Sequence, residues 1–406
     1  MQIKITAISA IVFGALGGSI AAGGSVDPCA QDNLGAIPAD GFTRGVKLVG
    51  DRLYVLDGEV LSQEEAGLRI FDVSDPALPG LLGQLNTPGI ASGIAVFGDR
   101  AFIADGGTGG LRVIDLNDPA SPVEIGFRDS PGLASRVSLI EPLADGSPVR
   151  IALADGAEGV VILVVMPDGL ILQEQTISTA GIASDVLAVG SVLFVAEGWD
   201  GLAVYDISVA GVAVEGARVA TQNAAIGLAW DGDAGLMYVA EATGGVLAVD
   251  FSQPFAPVVV SEYNTPGTAR GIVVAGSEVY VADGYRGLHT LDASVPPLLG
   301  IVETQAISGA ALGLEIMPQP AGRVLFVAAN QGGVQILNLQ ECDEECPADF
   351  AEPFGILTLA DISVFISDFS NTFNNENRAN ALAPPEDVGD LADIVVFLES
   401  FNAGCP

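Results

Sequence analysis

Six carboxylates recur at one place in a repeated phrase of this 406-residue chain: Asp57, Asp105, Asp155, Glu197, Glu241 and Asp283. Acids gathered in this way can do acid–base chemistry when two face each other across a cleft. They can also hold a cation or fix a polar ligand. Arg44, Arg136 and Arg270 recur in a second loop and would approach the same acids. A plainer role competes with these: each acid caps its own glycine turn and pairs with a neighbouring arginine. The repeat favours that role, because it demands a turn residue there in every copy.

The elements that must position these residues are clearest in GIAVFGDRAFIADGGTGGLRVID, residues 93–115. A strand runs into a Gly-Asp turn, a second strand ends at Asp105, and a glycine loop leads to a third strand. PVEIGF, 122–127, supplies a fourth. The acid position recurs at 57, 105, 155, 197, 241, 283 and, as alanine, 329, in steps of 48, 50, 42, 44, 42 and 46. The third strand opens at Gly67, Gly110, Gly159, Gly201, Gly245, Gly287 and Gly333. A loop of the type PGIASG returns around Gly89, Gly132, Gly181, Ala224, Gly267 and Gly309.

Four short strands in a period of about 45 residues are the pattern of a β-propeller blade. No 3.6-residue periodicity runs through the array, which excludes a helical solenoid. The seventh copy stops after its third strand, at Asn338. The segment from Gln31 to Pro38 is predicted to supply the missing strand and so leave no free sheet edge. The expected fold class is therefore all-β: a seven-bladed propeller of four-stranded blades, closed by the N-terminal strand. In such a blade the loop after the second strand and the loop between blades share one face. The six acids are predicted to ring that face, with Arg44, Arg136 and Arg270 beside them.

Composition narrows the partners. The net charge is -36, from 51 acids against 15 bases. Nucleic acid is excluded as a partner, since no basic patch exists to release counterions from phosphates. Anionic membrane surfaces are disfavoured for the same reason. Half of the residues are apolar, as expected where strands are covered on both faces. His289, the single histidine, stands where the second copy has Arg112, which predicts a surface or interblade side chain. One histidine cannot build a His-rich metal centre. The run Gly106 to Gly110 joins two strands, so it reads as a hairpin and not as a phosphate loop. Trp199 and Trp230 are expected to pack, with sugar stacking as the alternative.

The ends of the chain differ from the array. Residues 1–22 read as a signal peptide: Lys4, then an uncharged stretch from Ile5 to Ile20, then small residues for cleavage after Ala21 or Ala22. A retained membrane anchor is the alternative. With cleavage, no transmembrane segment remains, and the protein is expected to be secreted or at the cell surface. Export implies an oxidising compartment, where Cys29, Cys342, Cys346 and Cys405 can form disulfides. Pairing Cys29 with Cys342 and Cys346 with Cys405 would close one structural unit each, with a Cys342–Cys346 bond as the rival. The domains expected are a signal peptide at 1–22, a propeller at 23–341 and a small module at 342–406.

The array resembles the LVIVD repeat family in GLRIFDVSDPALP (67–79), GLRVIDLNDPASP (110–122), GLAVYDIS (201–208) and the strand ending at Asp283. The resemblance implies a propeller of a secreted or surface protein. Val164 and Asn338 depart from the pattern by replacing the closing Asp. In the module, residues 350–369 align without gaps on 382–401. Each copy ends in an amphipathic helix: Ile362, Phe365, Ile366 and Phe369 in one, Ile394, Phe397, Leu398 and Phe401 in the other.

This module resembles a dockerin of the kind that opens with Cys-x-Ala-Asp-Phe and ends in Asn-Ala-Gly-Cys, which implies an all-α unit of paired calcium loop–helix repeats. The metal candidates are Asp349, Glu352, Thr358 and Asp361 in the first loop and Asp387, Asp390 and Asp393 in the second. The first loop is one residue too long, and Ala381 stands where the second should begin with an acid. The partner implied is a cohesin-like or other cell-surface protein, with a glycan as a further ligand class. The function expected is a non-enzymatic binding or scaffold module tethered by its tail. The alternative is a carbohydrate-active lyase or hydrolase working through carboxylates of the ring.

Overall fold

A computed structural model of the chain describes residues 32–339, apart from 59–66, 108, 141–146, 295–298 and 320–321. The expected signal peptide, the four cysteines and the expected C-terminal module with its seven metal candidates lie outside the described residues.

Seven four-stranded sheets follow one another around a ring, each a plain antiparallel meander. Six are continuous in sequence. The seventh combines three strands, Gly313–Gln319, Gly322–Ala328 and Val334–Leu339, with the strand Asp32–Ile37 from the other end of the chain. The all-β, seven-bladed propeller and its closure are thus as the repeat predicts.

One irregularity confirms that Asp32–Ile37 is a true outer strand. In every blade the outer strand carries one extra residue against the same place in the third strand. These bulge residues are Leu82, Ile125, Glu174, Gly216, Val260 and Val302 in blades one to six. In blade seven it is Leu34, set between Asn33↔Leu337 and Gly35↔Ile336. A bulge sharpens the local twist of the strand that carries it, and each blade needs that twist at its rim. The N-terminal segment reproduces it without being adjacent in sequence.

Burial follows strand position. The second and third strands are covered almost throughout, as in Arg52–Gly58 and Gly67–Asp72, while the outer strand Gly80–Asn86 is mostly exposed. The near-continuous apolar runs of the middle strands reflect cover on both faces. The core lies between blades, as seven hydrophobic clusters, one at each seam. At the closing seam Val55 and Phe71 of blade one meet Phe326 and Ile336 of blade seven, with Ile37 from the N-terminal strand.

The closing Asp of the repeat caps the turn after the third strand. Asp72, Asp115, Asp206, Asp250 and Asp292 each accept the backbone N–H two residues on, at 2.7–2.9 Å. Bonds from Ser74 hold the Asp72 carboxyl below the usual carboxylate range. This is turn chemistry at the face opposite the six anchor acids.

Candidate functional site

Each anchor acid ends the second strand of its blade and starts a tight turn. The next residue takes a left-handed conformation in blades three to seven: Gly156, Gly198, Ala242, Gly284 and Asn330. These same five residues pair as isolated bridges with Ala183, Ala225, Ala269, Ala311 and Thr43 of the following blade. The turn of one blade is therefore latched to the interblade loop of the next. Beneath these latches the six carboxylates are buried, each at 0–1% exposure. Buried charge requires partners, and the blades supply them differently.

In blade one Asp57 takes a bond from Thr43 Oγ1 at 2.6 Å and an ion pair from Arg69 Nε at 2.5 Å. In blade two Asp105 takes Thr87 Oγ1 at 3.0 Å and the Gly89 N–H at 3.1 Å, and pairs with Arg112. Arg112 also reaches Glu124 at 2.6 Å and lies over the Phe127 ring. In blade six His289 occupies the arginine position, with Nε2 3.0 Å from Asp283. A carboxylate only accepts, so Nε2 carries the proton. Of the two positions expected for His289, surface or interblade, the surface one is corrected here: the residue is 1% exposed, because its partner is the buried acid.

Blades three and four lack a base on the third strand, where Val161 and Ala203 stand opposite Thr176 and Arg218. Blade four recovers one from its outer strand: Arg218 Nη1 reaches Glu197 at 2.6 Å, and Tyr205 Oη donates to the same acid at 3.1 Å. Burial, then the charge of Glu197, pushes the Tyr205 phenol up. Blade three recovers none. Asp155 has Ser130 Oγ at 2.7 Å and the Gly132 N–H at 3.0 Å, and burial raises its carboxyl. A cavity of about 130 Å³ lies there, lined by Val161, Ser130 and Glu158 among others.

Blade five goes furthest from the pattern. Leu247 fills the third-strand position and Glu262 stands opposite it on the outer strand. Neither oxygen of the Glu241 carboxylate has a hydrogen-bond partner, and the side chain is fully buried. Burial, with the charge of Glu262 as a second cause, pushes the Glu241 carboxyl up to about 7. Asn223, which replaces the loop glycine of blades two and three, turns its side chain to Thr243 at 3.1 Å.

The three predicted arginines take separate places. Arg136 sits one position further along its strand than Arg44 and Arg270. It opens the first strand of blade three at the position held by Gly45, Gly93, Gly227, Gly271 and Gly313 elsewhere, each aligned opposite the residue before its anchor. At these glycines the innermost strands touch: a Cβ on Gly93 would lie 2.7 Å from Arg136 Cα. Asp185 holds the same position in blade four. Arg136 donates to the Ser92 carbonyl at 2.8 Å, and Asp185 accepts from the Leu228 N–H at 2.9 Å. The pair thus spans blades two to five. Arg44 packs against Gly58 within blade one, and Arg270 is exposed.

Several partners escape a reading of the sequence. The hydroxyls Thr87, Ser130 and Thr265 do carry a signal, since each stands two residues before a recurrent loop glycine. Arg218, Glu262 and Asp185 carry none, because their roles depend on cross-strand register. The tryptophans divide: Trp230 stacks on Phe194 at 5.9 Å, whereas Trp199 is 74% exposed. Among the described residues no group of three His, Cys, Asp or Glu side chains gathers to hold a metal ion.

The repeat family can now be tested directly. The LVIVD repeat matches residues 40–87, 88–129, 180–216, 235–265 and 266–304. This chain carries LVIVD repeats. The unmatched blades include the third, which lacks both the base and the closing Asp, and the seventh, which is split between the chain ends. No curated protein sequence matches the chain. Among solved structures, a protein from Lactobacillus plantarum is 15% identical with a TM-score of 0.58, over 71% of this chain and 96% of that one. The β-propeller domain of Myceliophteria thermophila Swd1 is 11% identical with a TM-score of 0.60, over 76% and 100%. Virginiamycin B lyase from Staphylococcus aureus is 12% identical with a TM-score of 0.57, over 77% and 98%. At these identities the likeness is one of fold. LVIVD repeats are here built into a seven-bladed propeller.

Proposed function

We propose that this chain is an exported, non-catalytic binding or scaffold propeller, tethered to a cell-surface partner by its C-terminal dockerin-like module. The observation that carries this reading is the commitment of the anchor acids. Asp57, Asp105, Asp155, Glu197 and Asp283 spend their oxygens on donors of their own seams. They hold turns and blades together, as the repeat demands, and do not line an open cleft. A surface of loops above a rigid ring then serves recognition. In the module, calcium held by Asp349, Glu352, Thr358 and Asp361 or by Asp387, Asp390 and Asp393 would order the loop–helix repeats. The test is incubation of the purified mature protein with a glycan panel. Binding without turnover is expected, and turnover would sink the scaffold reading. Unchanged melting of the tail on adding a calcium chelator would sink the calcium assignment.

A catalytic reading has one observation behind it: Glu241, with its raised carboxyl, beside Glu262. If that pair is a general acid and base, Glu241→Gln must abolish any turnover found.

A further inference from the structure

The seams supply their buried acids with arginines from within in blades one, two and four and with an imidazole donor in blade six, and blade five alone combines an acid lacking any donor with a second acid. Arg69 and Arg112 come from third strands, Arg218 from an outer strand, and His289 takes the same role in blade six. In blade five both source positions are filled by other types, Leu247 and Glu262. The result is a fully buried carboxylate without any donor, and a second, exposed carboxylate where blade four has its base. An ionised acid buried without a partner is strongly disfavoured, so a cation brought from outside would find an unusually favourable place.

Blade four shows the route such a cation can take. Arg218 remains 29% exposed while its guanidinium contacts the fully buried Glu197. A guanidinium can therefore enter from the outer strand and meet an acid at this depth. In blade five the corresponding place on the outer strand carries the exposed Glu262, bonded to the exposed Gln222 at 3.1 Å. Side chains of this kind reorient freely at a surface. The turn of blade four, latched through Gly198 to Ala225 of blade five, supplies further chemistry. It carries Trp199, two residues after its anchor. That ring is 74% exposed. Aromatic faces favour guanidinium over ammonium, by stacking as well as by charge.

We propose that blade five is a receptor for a guanidinium group: an arginine side chain of a partner protein docks onto Glu241 and Glu262, with the exposed ring of Trp199 at its side. The site deepens the binding reading above and rests on it. A divalent metal fits less well, because two carboxylates fall short of the six to eight oxygens of a calcium site. The strong negative charge of the chain would steer a basic partner toward it.

The test is calorimetry on the full-length mature protein with N-acetyl-arginine amide, its citrulline counterpart and a capped Gly-Arg-Gly peptide. Saturable binding of the two arginine probes, at one site per chain, is expected, with none for citrulline. Glu241→Gln should weaken binding about tenfold or more, as expected for loss of a charge-assisted bond. Glu262→Arg should block the site, by supplying in cis the cation that blade four already has. Trp199→Ala, at an exposed position, should weaken binding without lowering the melting temperature, so the proposal stays testable if the Glu241 variant misfolds. Absence of saturable arginine binding would overturn the proposal. So would equal binding by the Glu241→Gln and parent proteins, or displacement of the probe by calcium at equal stoichiometry. Any of these would leave the scaffold reading standing, since glycan turnover tests that reading separately.

Discussion

Glu262 and Arg218 hold the same position in adjacent blades: one residue before the end of the outer strand, opposite Leu247 and Ala203 respectively. One is an acid and the other a base, and the difference decides the state of the buried glutamate beside each. Glu197 is ion-paired, while Glu241 has no donor and faces a second negative charge.

This contrast gives blade five a pH dependence of definite sign. The Glu241 carboxyl is raised from about 4.5 to about 7 on folding. Below the lower value both states are protonated, and the favourable neutral form is fully present. As pH rises toward 7 the unfolded chain loses its proton first, so stability falls, and the loss is complete above that value. Glu262 is the charged neighbour that adds to the effect of burial. Glu241→Gln removes the titration. It should match the parent protein near pH 4 and exceed it at pH 8 by on the order of 2 kcal/mol. Urea unfolding at both pH values checks this, and equal differences at the two would contradict it.

Arg112 and Arg218 should differ in what their removal costs. Each pairs with a buried anchor acid and a second glutamate, and each acid keeps other donors, but Arg112 is 7% exposed and Arg218 29%. Breaking a buried pair strands the remaining charge, at about 3 kcal/mol or more. Arg112→Met should reach that figure, and Arg218→Met should fall clearly below it. Denaturant midpoints decide the order, and the reverse order would show that solvent does not reach the Arg218 pair.

Blade three offers the converse experiment. Val161 stands at the position of Arg112, is buried, and borders the cavity of about 130 Å³ in the blade whose acid, Asp155, has Ser130 and Gly132 as donors but no base. Val161→Arg restores the base of the repeat and gives its side chain room. The variant should gain about 1 kcal/mol at neutral pH, the usual yield of a new hydrogen bond to a charged group. It should also return the Asp155 carboxyl toward the ordinary range. Thermal melts at pH 7 and pH 4 test both effects, since the gain should vanish at the lower pH. A variant destabilised at pH 7 would show that the cavity cannot take the side chain.

The ring was legible because its signals are local. Gly-Asp turns, the anchor acids and the closing Asp of the third strand each act within a few residues, and they repeat. The partners of the acids were harder to name. Arg112 pairs with Asp105 from only seven residues away, yet no more than a generic neighbouring arginine was legible there. Arg218 is 21 residues from Glu197, across a bulge whose extra residue, Gly216, shifts the outer strand by one. A one-residue shift exchanges the faces of a strand, so no spacing rule could place Arg218 on its acid or Glu262 beside Glu241. The same limit hid the bonds of Arg136 to the Ser92 carbonyl and of Leu228 to Asp185. Those bonds form where innermost strands of neighbouring blades touch, which sequence distance does not report.

Closure of the ring through the N-terminal strand is the last point open to direct test. Asp32–Ile37 pairs with Val334–Leu339 from Val334 to Asn338 and completes a cluster containing Ile37, Leu34, Val334 and Ile336. Without it, blade seven would present an unpaired edge rich in apolar residues, a template for pairing with another chain. A variant lacking residues 32–37 should lose cooperative melting of blades one and seven together, because their shared seam cluster would open. It should also self-associate on gel filtration. A synthetic peptide spanning 31–38 should restore both properties when added in excess, since the bulge at Leu34 and the register with Ile336 are encoded in that segment. A peptide with Leu34 and Ile37 changed to serine should fail to do so, because it keeps the backbone bonds but loses the apolar contacts. Full rescue by that peptide would mean that backbone pairing alone closes the propeller.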